Sequence, residues 1–182
     1  MWPPRCLSSR FLLIPRRLFT SATTDNLSAT SLQDIARFGA RVVSLDLRTS
    51  NDLICRQLMC EHVGDACACR LALALERVPR LRRLDLSNNR LRALPDAVYA
   101  LQHLEWLDVR QNCLTTLSTD LAKLTQLQTL DVRSNNLKTL PIEQLETLEK
   151  LETICVTGNV DLIRTFESLE MSKRLRATFV LA

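Results

Sequence analysis

Leu81-Arg82-Arg83-Leu84-Asp85-Leu86-Ser87-Asn88-Asn89-Arg90-Leu91 sets the reading of the whole chain, because it returns twice in phase. The first return is Leu104-Glu105-Trp106-Leu107-Asp108-Val109-Arg110-Gln111-Asn112-Cys113-Leu114. The second is Leu127-Gln128-Thr129-Leu130-Asp131-Val132-Arg133-Ser134-Asn135-Asn136-Leu137. The period is 23 residues, then 23, then 24 to Leu151. A frame LxxLxLxxNxL at fixed period marks a stack of small units, since a unit of this size cannot bury its apolar edge without neighbours. Around Leu84-Asp85-Leu86 the alternation predicts a short strand, with frame leucines inward and the residues between them facing solvent. Asn89, Asn112, Asn135 and Asn159 recur where the chain leaves each strand. A turn there needs its backbone groups satisfied, and an amide both donates and accepts, so these asparagines are read as structural. Leu94-Pro95 and Leu140-Pro141 begin the returning segments, whose Val98, Leu101, Leu121, Leu124, Leu145 and Leu148 are expected inside. Proline suits an outer segment that needs no ladder hydrogen bond; Leu117-Ser118 departs from the pattern.

The frame resembles that of the leucine-rich repeat family. The resemblance covers about residues 42 to 180 and implies an α/β leucine-rich-repeat solenoid, a curved horseshoe with a parallel sheet on its concave face. Short helices and extended segments then line the convex face. Regular repeats are expected at 81–103, 104–126 and 127–150, with a degenerate repeat and cap at 151–182. Upstream, residues 42–80 read as one irregular or ribonuclease-inhibitor-type repeat within a domain spanning 42–182. Val42-Val43-Ser44-Leu45-Asp46-Leu47-Arg48 is its strand, and Val63 to Leu75 resembles its helical half. Residues 50–60 are either an insertion or a separate strand opened by Leu53. Ser31-Leu32-Gln33-Asp34 starts a helical cap over 28–41, with Leu32, Ile35, Ala36 and Phe38 against the first strand. At the far end, Leu162, Ile163, Phe166 and Leu169 suit a last outer helix. Leu175, Thr178 and Val180 suit a final strand with an exposed edge.

The first 24 residues hold no acid but Arg5, Arg10, Arg16 and Arg17, with Phe11-Leu12-Leu13-Ile14 as the apolar run. That profile, with Arg17-Leu18-Phe19-Thr20-Ser21 resembling a protease site, assigns residues 1–27 to a mitochondrial-type targeting segment. The expected location is the matrix, with the cytoplasm as the alternative. The chain carries 24 Lys+Arg against 20 Asp+Glu. Without the four N-terminal arginines the balance is even, so no general basic excess remains to hold nucleic acid. Lys173, Arg174 and Arg176 form one local basic cluster, read as a solvated end. No stretch suits a membrane span.

Cys60, His62, Cys67 and Cys69 stand close in sequence, but C-x-H and C-x-C are not the paired C-x-x-C of zinc modules, and no metal is expected. Secreted members of the family carry cysteine clusters at their caps. The caps here do not, which fits reduced thiols. His62 and His103 form no nucleophilic constellation, and three glycines make no phosphate-cradling loop. The reading is of a non-enzymatic chain without cofactor.

Function is expected on the concave face, where stacked repeats align equivalent positions. One column runs Asp46, Asp85, Asp108, Asp131, Cys155. Two residues on stand Arg48, Ser87, Arg110, Arg133 and Thr157. Two residues before stand Ser44, Arg83, Trp106, Thr129 and Thr153. Stacked aspartates repel unless arginines offset them, and such Asp-Arg ladders also serve simply to keep a sheet soluble. Trp106 is the candidate anchor, because a large aromatic on a solvent-side strand position is costly unless covered. Arg83, Asp85, Glu105, Asp108, Arg110, Asp131 and Arg133 complete the expected partner-binding set. The partner is expected to be a protein, bound by a monomer or by a subunit of a larger complex. Alternatives are a cytosolic regulator of a GTPase or phosphatase and an RNA-associated mitochondrial subunit.

Overall fold

The structure, a computed structural model, describes residues 26–54, 68–165 and 171–180. Among the described residues, seven parallel strands form one open sheet in chain order: β1 (Leu27–Ala29), β2 (Val42–Asp46), β3 (Arg83–Asp85), β4 (Trp106–Asp108), β5 (Thr129–Asp131), β6 (Thr153–Cys155) and β7 (Phe179–Val180). The frame residues carry the core. Leu81, Leu84, Leu86 and Leu91 are buried, as are Leu104, Leu107, Val109 and Leu114 and then Leu127, Leu130, Val132 and Leu137. Burying each such side chain contributes roughly 1.5–3 kcal/mol, so the phase of the frame fixes the phase of the sheet.

The strands are short because the sequence ends each one the same way. Asp85, Asp108 and Asp131 each accept a hydrogen bond on Oδ1 from the backbone N–H two residues later, at 2.9, 3.0 and 3.1 Å. The chain then turns through a left-handed residue: Asn88, Gln111, Ser134 and Gly158 have φ of 58°, 53°, 52° and 80°. The asparagine that follows joins consecutive repeats. Asn135 Nδ2 donates to the carbonyls of Val109 and Val132 at 2.9 and 3.0 Å, and its Oδ1 accepts from the Leu114 N–H at 3.0 Å. Asn89, Asn112 and Asn159 make equivalent bridges, and all four are buried. This ladder is the structural role read from the sequence.

Outer segments vary while the sheet does not. They contain α1 (Leu32–Phe38), α2 (Ala68–Leu75), α3 (Asp96–Tyr99), a 3₁₀ turn over Thr119–Lys123, α4 (Ile142–Glu146), α5 (Val160–Thr165) and α6 (Lys173–Thr178). Ser31 caps α1 by accepting from the Asp34 N–H at 3.1 Å, as its sequence suggests. Ile35 is buried and Leu32 and Phe38 pack partly, whereas Ala36 is exposed, contrary to expectation.

Three further differences concern irregular segments. Strand β1 is not foreseen, and it begins at Leu27, the last residue given to the targeting segment. β2 pairs directly with β3, Ser44 beside Arg83. Of the 50–60 segment, read as an insertion or a strand, residues 51–53 make a 3₁₀ turn and residues 55–60 lie outside the described residues. The proposed last strand is mostly helix. Ser172 caps α6 by accepting from the Leu175 N–H at 3.1 Å, and Leu175 and Thr178 are buried from that helix. Among the described residues of this stretch, only Phe179 and Val180 pair with β6. Leu162 is buried in α5 but Ile163 is 43% exposed; Phe166 and Leu169 lie outside the described residues.

Candidate functional site

Parallel pairing in register builds the expected columns. Ser44, Arg83, Trp106, Thr129 and Thr153 stand side by side, as do Asp46, Asp85, Asp108, Asp131 and Cys155. The third column stays in step beyond the strand ends. Thr49, Asn88, Gln111 and Ser134 donate their N–H groups to the carbonyls of Ser87, Arg110, Arg133 and Thr157 at 3.2, 2.9, 2.9 and 2.8 Å.

The aspartates are not the solvent-facing residues expected. Asp85, Asp108 and Asp131 retain 9, 1 and 5% exposure, and each carboxylate is engaged by its own strand's exit and by arginine. They form the floor of the sheet face rather than its contact surface. Arg133 grips Asp131 at 2.6 Å, while Arg110 reaches Asp108 at 3.3 Å and Asp131 at 4.0 Å. On the outlying strand Arg48 grips Asp46 at 2.6 Å and reaches Asp85 at 3.4 Å. Serine at position 87 interrupts the arginine column between Asp85 and Asp108.

The electrostatics follow that interruption. Burial pushes Asp108 up to about 7; the Asp131 and Asp85 carboxylates add to the rise, against the Arg110 N–H and guanidinium. Burial also raises Asp85, against its hydrogen bonds from Ser87. Burial opposes charge on Asp46 too, but the Arg48 hydrogen bonds and charge prevail and hold that carboxyl below its usual value.

Trp106 is half-buried, with the Arg83 guanidinium 4.9 Å from its ring centroid. The pair offers a flat apolar and cationic surface, and such a contact contributes about 0.5–1 kcal/mol where partly exposed. Arg110 and Arg133 are also partly exposed beside it. Glu105 precedes β4 and pairs with Arg82 at 3.2 Å, standing apart from the three columns. Sequence reasoning missed Arg82; the signal was available, since Arg82 and Glu105 are equivalent positions 23 residues apart.

The remaining expectations divide. Cys60, His62 and Cys67 lie outside the described residues, and among the described residues no group of three His, Cys, Asp or Glu could hold a metal. Cys69 and Cys113 are thiols, but Cys155 is disulfide-bonded, which departs from the expectation of reduced thiols throughout. Arg174 donates to the carbonyls of Leu148 and Glu146 at 3.1 and 2.8 Å, so it is tied to the preceding repeat rather than being a purely solvated residue. No helix among the described residues is long and apolar enough to cross a membrane.

The comparisons fall on this scaffold. The leucine rich repeat family matches residues 79–137. A Leptospira interrogans LRR protein of solved structure superposes with a TM-score of 0.53 at 27% identity, over 69% of this chain and 28% of that one. Listeria monocytogenes InlP superposes with a TM-score of 0.51 at 20% identity, over 86% of this chain and 42% of that one. The chain thus spans less than half the length of either. No curated protein sequence shows significant similarity. The family match spans the three strands whose asparagine ladder ties the repeats together; over them the chain is similar to the leucine rich repeat family, and its fold is an α/β leucine-rich-repeat solenoid.

Proposed function

We propose that this protein is a non-enzymatic scaffold or assembly subunit that binds a partner protein across its sheet face, in the mitochondrial matrix. The observation that carries the reading is the preformed surface around Trp106: an aromatic ring under the Arg83 guanidinium, flanked by the partly exposed Arg110 and Arg133. Aromatic and arginine side chains dominate interface energetics, and charges fixed by neighbours orient a partner without further ordering. The acid-free, arginine-bearing N-terminal stretch supports the mitochondrial location.

The test is affinity capture of tagged full-length protein from isolated mitochondria, beside a Trp106→Ala/Arg83→Ala variant matched for thermal stability. Arg110 is left intact because it faces the buried Asp108. A protein recovered by the wild type and lost by the variant supports the reading. Equal recovery by both moves the site off the sheet face. Absence of the tagged protein from mitochondria overturns the location and favours a cytosolic regulator of a GTPase or phosphatase. Ribonuclease-sensitive recovery favours the RNA-associated alternative.

A further inference from the structure

A second surface lies on the helical side, away from the sheet face. A groove of about 610 Å³ runs across three successive outer segments: α2, α3 and the 3₁₀ turn over Thr119–Lys123. Its base is apolar and built from small side chains, with Ala72, Ala97 and Ala100 beside Pro79 and the edges of Leu75 and Leu101. Pro79 and Ala100 are exposed and Ala72 and Ala97 are half-buried, so this apolar surface remains in contact with solvent. Small residues along an outer face leave room for larger side chains brought by another chain.

The rim of the groove is acidic on balance. Each of the three segments contributes one carboxylate: Glu76 just after α2, Asp96 in the first turn of α3, and Asp120 in the 3₁₀ turn. Lys123 is the single lining cation, and it is engaged with Asp120 at 3.0 Å. Glu76 and Asp96 have no ion-pair partner among the described residues. Asp96 and Asp120 both lie near enough to the buried Tyr99 to add to the burial that disfavours ionisation of its hydroxyl, so the two charges converge on one stretch of groove. An apolar strip between unmatched carboxylates excludes an acidic occupant and favours one with apolar side chains flanked by Lys or Arg.

We propose that this groove is a docking site for a basic amphipathic helix of a partner protein, whose apolar side chains enter over Ala97 and Ala100 while its cations pair with Glu76 and Asp96. A helix suits a site with an apolar base and acidic rims. Side chains one turn apart share one face of a helix, which places apolar groups along the base and leaves the flanking cations to reach both rims. This site is separate from the Trp106 surface, so one protein can hold two partners or two parts of one.

The test uses full-length protein and fluorescence anisotropy with three labelled 14-residue peptides. One is a Leu/Lys amphipathic helix, one its Leu/Glu counterpart, and one a Ser/Lys peptide of equal charge without an apolar face. The Leu/Lys peptide is expected to bind at least tenfold more tightly than either control, and to weaken as sodium chloride rises from 0.05 to 0.3 M. Glu76→Lys/Asp96→Lys should lose at least tenfold in affinity with an unchanged melting temperature, since both side chains are exposed. Ala97→Glu, which alters the base, should lose as much. Trp106→Ala/Arg83→Ala should bind as the wild type does. Equal binding by the Ser/Lys or Leu/Glu peptide, or by either groove variant, overturns the proposal; loss in the Trp106 variant instead places the peptide on the sheet face.

Discussion

Asn135 shows how much of this fold rests on one side chain per repeat. Its amide satisfies the Val109 and Val132 carbonyls and the Leu114 N–H, which belong to two neighbouring repeats and are sealed from water. Asn135→Ala strands the buried Leu114 N–H and takes one of two donors from each carbonyl, since Val109 still accepts from Asn112 and Val132 from Asn159. A buried unsatisfied polar group costs about 1–3 kcal/mol, which is the loss expected in urea unfolding, and Asn135→Asp should be no better because it replaces the donating amide with a carboxylate facing carbonyls. Asp108 sets the pH response in the opposite sense from an ordinary surface acid. The folded chain retains its proton up to about 7, whereas an unfolded aspartate releases it near ~3.9. Its raised value therefore stabilises the fold fully below ~4, and that contribution is lost as pH rises towards 7, on the order of 2–4 kcal/mol in all. Asp85, shifted the same way, adds to the slope. Asp34 and Asp46 are shifted downward, and their contributions are lost only in more acid solution. The urea midpoint of the wild type should fall between pH 5 and 7.5, and Asp108→Asn should remove most of that fall. A variant as pH-dependent as the wild type would refute the assignment.

At the scale of the element, the repeated turn separates residues by backbone conformation rather than polarity. Gly158 has φ of 80°, and a β-carbon there would lie 2.9 Å from Ser134 Oγ and 3.0 Å from the Ser134 backbone. Gly158→Ala meets both a strained dihedral and a close contact, and should cost about 1–3 kcal/mol. Gln111 occupies the equivalent turn with φ of 53°. Gln111→Gly should therefore leave the melting temperature unchanged or slightly higher, and a large loss there would show that the turn is not what limits this position. These turns also explain which elements were legible in the sequence. Strands β3 to β6 follow from the frame because leucine spacing fixes which side chains face inward. The columns of the sheet face follow from the same register. What the pattern could not convey is the depth of the aspartates, since a carboxylate accepting an N–H from its own strand's exit looks polar in sequence while lying buried in the fold. The ends were less legible because they lack a second copy for comparison. β1 has no frame of its own, and α6 is fixed by contacts 26 residues away, where Glu146 accepts from the Ser172 N–H and hydroxyl at 2.6 and 2.7 Å.

Across the whole molecule, the buried side chains form one continuous cluster from Ala29 in β1 to Leu175 in α6, with no break between repeats. A solenoid of this kind couples each repeat to its neighbours, so the position of a cavity matters as much as its size. Leu107 and Leu175 are both fully buried, but Leu107 lies in the middle strand with ordered repeats on both sides, whereas Leu175 lies next to the last described strand. Truncating either removes the same side chain, and each change should cost about 2–5 kcal/mol if the surroundings relax little. Less of the solenoid depends on the end, however, so the two losses should distribute differently. In native-state hydrogen exchange, Leu107→Ala should reduce protection in every strand from β2 to β6, with a single unfolding transition retained. Leu175→Ala should reduce protection only in β6, β7 and α6, leaving β3 and β4 at wild-type values. If the end variant lowers protection in β3 and β4 as much as the central one does, the molecule unfolds as one unit, and nearest-neighbour coupling is the wrong description of its stability.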